Sequence, residues 1–323
     1  MALALTEEHL ALAESVRGWA GRVAPPAAIR AVTTAGDGGA ALYTGTLRPA
    51  LAGQGLLGLH LPESLGGQGY GLPELAVAVE ELGRALVPGG FLPTVLASAI
   101  LLSARTSALD GLVKEMAAGT LTGAVGLAPG IRADAAASGT GAGDSGQSRA
   151  GNGQPGTLVI DGTCGPVPGA GLADLVIVPV ASGDRQIWVA LDSADVEITP
   201  LDSLDLTRPA GRVGVDNLSV PADRVLTGLA PGAAMSIAAT LLSAEACGIA
   251  DWAVTTAAEY AKIRHQFGRP VGQFQGVKHR CAWMLTAAEQ AAAAVWDAAR
   301  ALQGAADPRT AAPDTAAGPG AAT

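Results

Sequence analysis

The sequence predicts an α+β protein in which an antiparallel β domain lies between an N-terminal helical domain and a C-terminal helical bundle. Three observations predict this order. Apolar residues recur at helical spacing before residue 119, short apolar runs bounded by Gly, Pro and Asp follow, and apolar helical patterns return after Pro231. Helices, then strands, then helices is the element order of an α+β chain.

The N-terminal helical domain is predicted over residues 1–118. Thr6 precedes two acidic residues, Glu7 and Glu8, which favour the positive end of a helix. The pair Pro25–Pro26 is predicted to end this first helix. Further helical patterns cover 44–54, 73–87 and 92–118.

The middle β domain is predicted over residues 119–228. It contains six short strand-like runs, which begin near residues 121, 157, 174, 186, 196 and 211. Between the first two runs lies the glycine-rich stretch Ser138–Gly156, which is predicted to be a mobile loop.

The C-terminal helical domain is predicted over residues 229–302, with one helix to about residue 263 and a second over 273–302. Two helices make an incomplete bundle, so a large apolar face is expected on the outside. The stretch 303–323 is mostly Ala, Gly, Pro and Thr, and it is predicted to be disordered.

Composition excludes several functional classes. The net charge is −9 and no basic stripe is present, which argues against nucleic-acid binding. Three widely spaced cysteines predict a reducing, cytoplasmic location, and the four histidines show no metal-ligand spacing, so no metal site is predicted. The apolar run Ala233–Ala250 contains Glu245 and is interpreted as a buried helix, not a membrane span.

The stretch Tyr260–Met284 joins the last two predicted helices through a Phe-Gly-Arg-Pro turn flanked by basic residues. Arg264 lies near the end of the first helix, and Gly268 is a candidate left-handed cap. Two interpretations follow from spacing alone. In the first, the basic residues complement the helix dipole at a capped corner. In the second, Arg264 and the turn bind a pyrophosphate, which a guanidinium recognises through two charge-assisted hydrogen bonds.

This stretch resembles the helix–turn–helix of the flavin-dependent acyl-CoA dehydrogenases. The family pattern is matched by Tyr260, Ala261, Arg264, Phe267, Gly268, Pro270, Phe274 and Gln275, with Val271 in place of Ile. Upstream, Gly55–Leu86 resembles the N-terminal helical domain of the same family. The resemblance implies FAD as cofactor, with Arg264, Gln266, Phe267 and Gln275 contacting the FAD of a neighbouring subunit.

The chain departs from the family pattern in two segments of the middle domain. The flavin-contacting strand end of the family reads Leu-Thr-Glu-Pro, whereas Gly126–Asp134 is one residue short, lacks the Glu and has Ala128 at the hydroxyl position. The second flavin strand of the family contains Trp-Ile-Thr, whereas Gly162–Gly169 contains neither the Trp nor the adjacent hydroxyl.

The catalytic base is the other departure. The family removes a proton α to a thioester carbonyl with a carboxylate close to the flavin. At one family position for this Glu, ten residues before Gly248, the chain has Ala238. Glu245 lies two helical turns further along the same face, so Ala238 and Glu245 are predicted to line the substrate pocket. The alternative is a buried Glu245 paired with an Arg or a backbone group. No catalytic residue is assigned.

Two main hypotheses result. The first is an enzyme that performs FAD-dependent α,β-dehydrogenation of an acyl-CoA thioester, works as a homo- or hetero-oligomer, and passes electrons to an electron-transfer flavoprotein or similar acceptor. The second is a non-catalytic partner subunit, similar to the degenerate halves of heteromeric or fused acyl-CoA dehydrogenases that act on steroid side chains. A third hypothesis is a purely structural helical protein. The long match of the turn to the family pattern argues against it.

Overall fold

The computed structural model describes residues 5–37, 39–133 and 157–306, and within these the element order is helices, then one sheet, then two long helices. The predicted loop Ser138–Gly156 lies outside the described residues, as does the part of the predicted tail beyond Ala306.

The N-terminal helices are α1 (Glu7–Val23), α2 (Pro26–Ala35), α3 (Ala40–Leu42), α4 (Arg48–Gly53), α5 (Leu72–Arg84), α6 (Phe91–Ala104) and α7 (Asp110–Ala118), with a π-helical turn joining α3 to α4. The predicted start of α1 is confirmed, because the Thr6 side chain accepts a hydrogen bond from the His9 amide. The prediction of one long helix over 92–118 was wrong. Arg105 adopts a left-handed conformation (φ 51°) that ends α6, and a short 3₁₀ turn precedes α7.

The strands are β1 (Gly123–Val125), β2 (Ile131–Ala133), β3 (Leu158–Pro168), β4 (Leu175–Ser182), β5 (Arg185–Asp192), β6 (Glu197–Leu201) and β7 (Ala210–Val220). They form one sheet in the order β1-β4-β2-β3-β7-β6, with β5 paired to β4. The six predicted runs are confirmed as strands, and β2 was missed. The sheet is mixed, not purely antiparallel, because β1 and β2 each run parallel to β4.

The C-terminal helices are α8 (Ala233–Ile263) and α9 (Gln275–Ala306), separated by the two-stranded hairpin β8 (His265–Gln266) and β9 (Arg269–Pro270). Helix α9 continues through Gln303, whose side chain accepts a hydrogen bond from the Leu72 amide at 3.1 Å. The disordered tail predicted from residue 303 is therefore wrong for residues 303–306, because this contact and the helix order them.

Helix α8 is the centre of the fold. It is long and apolar enough to cross a membrane by composition, but its side chains pack against α5, α6 and α9, as in the core helix of a folded domain. The N-terminal helices, α8 and α9 share one hydrophobic core, and a second core lies within the sheet. Gly83 and Gly248 face each other's helices at the α5–α8 crossing, where an added Cβ would meet backbone atoms.

Candidate cofactor site at the helical turn

The turn between α8 and α9 is a short β-hairpin. Arg264 leaves helix α8 with extended backbone angles, and its carbonyl accepts a hydrogen bond from the Val271 amide at 2.7 Å. Phe267 (φ 52°) and Gly268 (φ 78°) form the left-handed tip. The prediction that Gly268 caps helix α8 is therefore wrong, because α8 already ends at Ile263. Gly268 closes the hairpin instead.

Two aromatic rings and one guanidinium fix the hairpin tip. Phe267 is 90% exposed and lies edge-on to Phe274, with ring centroids 6.0 Å apart. The Arg269 guanidinium lies 4.3 Å from the centroid of the Phe274 ring, which is cation–π geometry. Arg269 was not singled out from the sequence, and its place after the Phe-Gly pair is the only signal that would have indicated it.

The four residues predicted to bind the cofactor all lie on or beside this hairpin. Arg264, Gln266, Phe267 and Gln275 are exposed. Within the described part of the chain, the Arg264, Gln266 and Gln275 side chains make no hydrogen bond or ion pair. Their polar groups are therefore available to a ligand or a neighbouring chain.

The turn is basic although the whole chain is acidic. No Asp or Glu occurs between Tyr260 and Ala288, and Glu259 is paired with Lys262 at 2.5 Å. The exposed basic side chains of this stretch are Lys262, Arg264, His265, Arg269, Lys278, His279 and Arg280. Such a concentration of positive charge suits the pyrophosphate of a dinucleotide.

The two flavin segments of the middle domain offer little to a flavin ring. The Cys164 thiol donates to the Ala128 carbonyl at 3.1 Å, and the Thr163 amide donates to the Gly130 carbonyl at 3.3 Å. Among the exposed residues of this part of β3, Pro166 and Pro168 have no hydrogen-bond donor, and Thr163 has a hydroxyl. The two segments are hydrogen-bonded to each other, and at the two prolines β3 offers no donor to the polar edge of an isoalloxazine.

The two predicted pocket residues do not meet in one cavity. Ala238 is fully buried in the hydrophobic core that the helices share. Glu245 is bound by Arg208, with Nη2 donating to Oε1 at 2.5 Å and Nη1 to Oε2 at 3.3 Å. The alternative prediction, in which Glu245 is paired with an Arg, therefore agrees with the structure. The carboxylate of Glu245 is not free for proton abstraction.

The outer side of the two C-terminal helices is strongly apolar. Ile249, Trp252, Tyr260 and Ile263 recur at helical spacing along one stripe of α8, and all four are exposed. Helix α9 adds the exposed Trp283, which has 75% of its surface free. We call this stripe together with Trp283 the outer helical face. Among the described residues, no group of three or more His, Cys, Asp or Glu side chains is placed to hold a metal ion.

Comparison with family models identifies both helical parts of the chain. A model of the acyl-CoA dehydrogenase N-terminal domain matches residues 6–119. A model of the acyl-CoA dehydrogenase C-terminal domain matches residues 231–316.

Two relatives from Mycobacterium tuberculosis match nearly the whole chain. Acyl-CoA dehydrogenase FadE34 is 35% identical over 312 residues, which are 93% of this chain and 38% of FadE34. Acyl-CoA dehydrogenase IpdE2 is 33% identical over 296 residues, or 91% of this chain and 76% of IpdE2. The chain thus spans well under half the length of FadE34 and about three quarters of IpdE2.

Solved structures show the same fold. A variant of the Tcur3481–Tcur3483 steroid ACAD superposes with a TM-score of 0.76 at 27% identity, covering 92% of this chain and 78% of that one. The ChsE4–ChsE5 complex of Mycobacterium tuberculosis gives a TM-score of 0.73 at 23% identity, covering 95% and 83%.

Proposed function

Because this chain belongs to the acyl-CoA dehydrogenase family, we propose that it is the partner subunit of a flavin-dependent acyl-CoA dehydrogenase. In this proposal its hairpin contributes contacts to an FAD that is held mainly by a neighbouring chain. Membership of the family supports an oxidoreductase of this kind. The observation that favours a partner role is a contrast between two regions. In the basic hairpin, the Arg264, Gln266 and Gln275 side chains have no hydrogen-bond partner among the described residues, whereas the two flavin segments bind each other.

In this proposal, different residues of the hairpin contact different parts of the dinucleotide. Arg264 would bind the pyrophosphate through its guanidinium, and Gln266 and Gln275 would donate to phosphate or sugar oxygens. Phe267 would offer an apolar surface, with its left-handed backbone keeping the ring outside the hairpin. When bound, FAD supplies the acceptor for the hydride that leaves the β-carbon of the thioester.

Independent oxidation of an acyl-CoA by this chain, the first hypothesis from the sequence, is less well supported. It needs a carboxylate free to remove the α-proton. The position of Ala238 has none, and the carboxylate of Glu245 is occupied by Arg208. In the proposed assembly the neighbouring chain supplies the base.

The outer helical face supports association with another chain. An apolar surface of this kind on the family's C-terminal helices favours burial against further helices. The ChsE4–ChsE5 structure is a complex, and FadE34 is much longer than this chain, so both a separate partner and a fused one fit the proposal. Steroid acyl-CoA thioesters are the first substrates to test, because a similar structure is that of a steroid ACAD. An electron-transfer flavoprotein remains the proposed acceptor.

The test is to purify the chain alone and together with a second acyl-CoA dehydrogenase-like chain from the same source. The absorbance of bound flavin near 450 nm and the mass by light scattering are then measured. We expect flavin only in the mixed oligomer. About one flavin per chain in a homo-oligomer of this chain alone would contradict the partner role and favour a self-contained enzyme.

Variants of the hairpin provide the second readout. In the mixed oligomer, Arg264→Ala should lower the affinity for FAD by about tenfold or more without changing the mass. Arg30→Ala removes an exposed guanidinium far along the chain and is the matched control. Equal retention of FAD by both variants would remove Arg264 from the site.

A further inference from the structure

A cleft of about 410 Å³ lies between the C-terminal end of α8 and the N-terminal end of α9. Its volume is within the range of pockets that hold small molecules, roughly 300 to 1,000 Å³. In the hairpin, Gln266 pairs with Arg269 and His265 pairs with Pro270. Successive side chains of a strand point to opposite faces, so Pro270, which lines the cleft, lies on the face opposite Gln266. The cleft is therefore behind the hairpin, and none of the four predicted cofactor residues lines it.

The floor of the cleft is apolar. It contains Ala258 and Ala261 from α8 and Val277 and Cys281 from α9, all of which are buried or half-buried. Gly272 also lines the cleft and packs directly on α8, where an added Cβ would lie 2.8 Å from the Ala261 carbonyl oxygen. Because the α8 side chains are small, they leave space between the helices. An apolar group placed there leaves water and gains van der Waals contacts with the floor.

Two lysines form the charged part of the rim. Lys262 and Lys278, one from each helix, line the cleft and are exposed. The Lys262 ammonium pairs with Glu259 at 2.5 Å. The Lys278 ammonium makes no hydrogen bond or ion pair within the part of the chain that the structure describes. Two ammonium groups and one carboxylate leave a single net positive charge at the rim, and this charge favours a monoanion.

We propose that this cleft binds an organic monoanion with an apolar body, of the fatty carboxylate class, with its carboxylate on the Lys278 ammonium and its chain on the apolar floor. The chain is stabilised by burial of apolar surface, and the carboxylate by a charge-assisted hydrogen bond. A neutral molecule gains only the first of these contributions. A cation is repelled at the rim, although the whole chain carries a net charge of −9 and attracts cations elsewhere.

The experiment uses Cys281 as the reporter, because a ligand on the floor of the cleft covers its thiol. The full chain is treated with iodoacetamide at pH 8 in the presence of octanoate or octyltrimethylammonium, which have the same chain length and opposite charges. Labelling of Cys281 is followed by peptide mass spectrometry. We expect octanoate at about 5 mM to slow the labelling about fivefold, which corresponds to a Kd of about 1 mM, and octyltrimethylammonium to slow it less than about twofold. Non-specific attraction to the acidic chain would give the opposite order.

A charge-removing variant tests the role of the rim. Lys278→Met keeps an apolar side chain but has no charge, so the ratio of labelling rates without and with octanoate should fall from about five to below about two. Lys278 is exposed, and circular dichroism checks that the variant is folded. Lys114→Met removes an exposed lysine of α7 and is the matched control, for which the ratio should stay at about five.

A cleft-filling variant tests the role of the floor. Ala258→Leu adds apolar volume at a half-buried position, and it should weaken octanoate binding by about tenfold or more in isothermal titration calorimetry. This readout does not depend on the accessibility of Cys281, which the larger side chain also reduces.

Three results would overturn the proposal. The first is a labelling rate that octanoate does not change. The second is protection by octyltrimethylammonium as strong as that by octanoate. The third is equal protection by octanoate in Lys278→Met and in the unmodified chain. All three are measured without FAD and without a second chain, so the outcome is separate from that of the test of the proposed function.

Discussion

Arg208 and Glu245 join the loop before β7 to the middle of α8 through two hydrogen bonds, the shorter of 2.5 Å from Nη2 to Oε1. Arg208 is buried, and the carboxylate of Glu245 is mostly covered. The pair therefore fixes the middle domain against the helix that leads to the hairpin. Because of this pairing, the Glu245 carboxylate, which the sequence had predicted near the acyl pocket, is not free to act as a base.

Breaking the pair of Arg208 and Glu245 is expected to lower the free energy of unfolding. Glu245→Gln leaves a buried guanidinium without its counter-charge, and we expect a loss of about 3 kcal/mol in the free energy of unfolding by urea. Lys262→Met disrupts the exposed pair with Glu259 and is the matched control, with an expected loss below about 1 kcal/mol. A loss for Glu245→Gln no larger than the control would mean that the pair is not a structural link.

Glu80 on α5 is expected to make stability depend on pH. Burial, and then the charge of Glu81, raise the pKa of Glu80 from its ordinary value of 4.5 to about 6. The folded pKa lies above the unfolded one, so the native state binds the proton more tightly, and the free energy of unfolding rises as pH falls from about 7 towards 4.5. Glu80→Gln should stabilise the chain by about 1 to 2 kcal/mol at pH 7.5 and flatten this dependence.

The control for Glu80 is Glu14→Gln, which removes an exposed carboxylate of α1. Denaturant unfolding at pH 5, 6 and 7.5 gives the comparison. If Glu80→Gln and Glu14→Gln have the same effect at every pH, the burial of Glu80 has no measurable cost.

Gly248 sets the distance between α5 and α8. An added Cβ would lie 1.8 Å from the Glu80 carbonyl oxygen and 2.7 Å from the Arg84 amide. Both are backbone atoms, so Gly248→Ala must push the helices apart, and we expect a loss of about 3 kcal/mol. Gly21→Ala on the exposed side of α1, where no atom lies within 4 Å, should instead gain about 0.5 to 1 kcal/mol. A thermal melt that shows no difference between the two variants would contradict the close crossing.

The three cysteines should react at different rates with iodoacetamide. Cys164 is buried, its thiol is hydrogen-bonded to Ala128, and burial raises its pKa to about 11. Burial also raises the pKa of Cys247. Cys281 is half-buried on α9, and we expect it to be labelled about tenfold faster or more at pH 8, as followed by peptide mass spectrometry. Fast labelling of Cys164 in the native chain would show that the two flavin segments separate in solution.

The order of elements and the outline of the candidate site could be read from the sequence, because both depend on local patterns. The capping sequence at Thr6 predicted the start of α1, and short apolar runs bounded by Gly, Pro and Asp predicted six strands. Arg264, Phe267 and Gln275 stand close together in the chain, so a short motif was enough to indicate them. Features that depend on one residue's backbone angles, such as the break at Arg105, were missed, since spacing alone does not report a left-handed conformation.

By itself, the sequence determined the helix–sheet–helix order, the family, and the basic turn. Only the tertiary structure decided which partners the isolated side chains would meet. Glu245 and Arg208 are far apart in the chain, and neither residue type indicates whether a buried carboxylate will be free or paired. The same holds for Cys164 against Ala128 and for His60 against Ser98, because contacts between distant segments are set by how whole helices and strands pack.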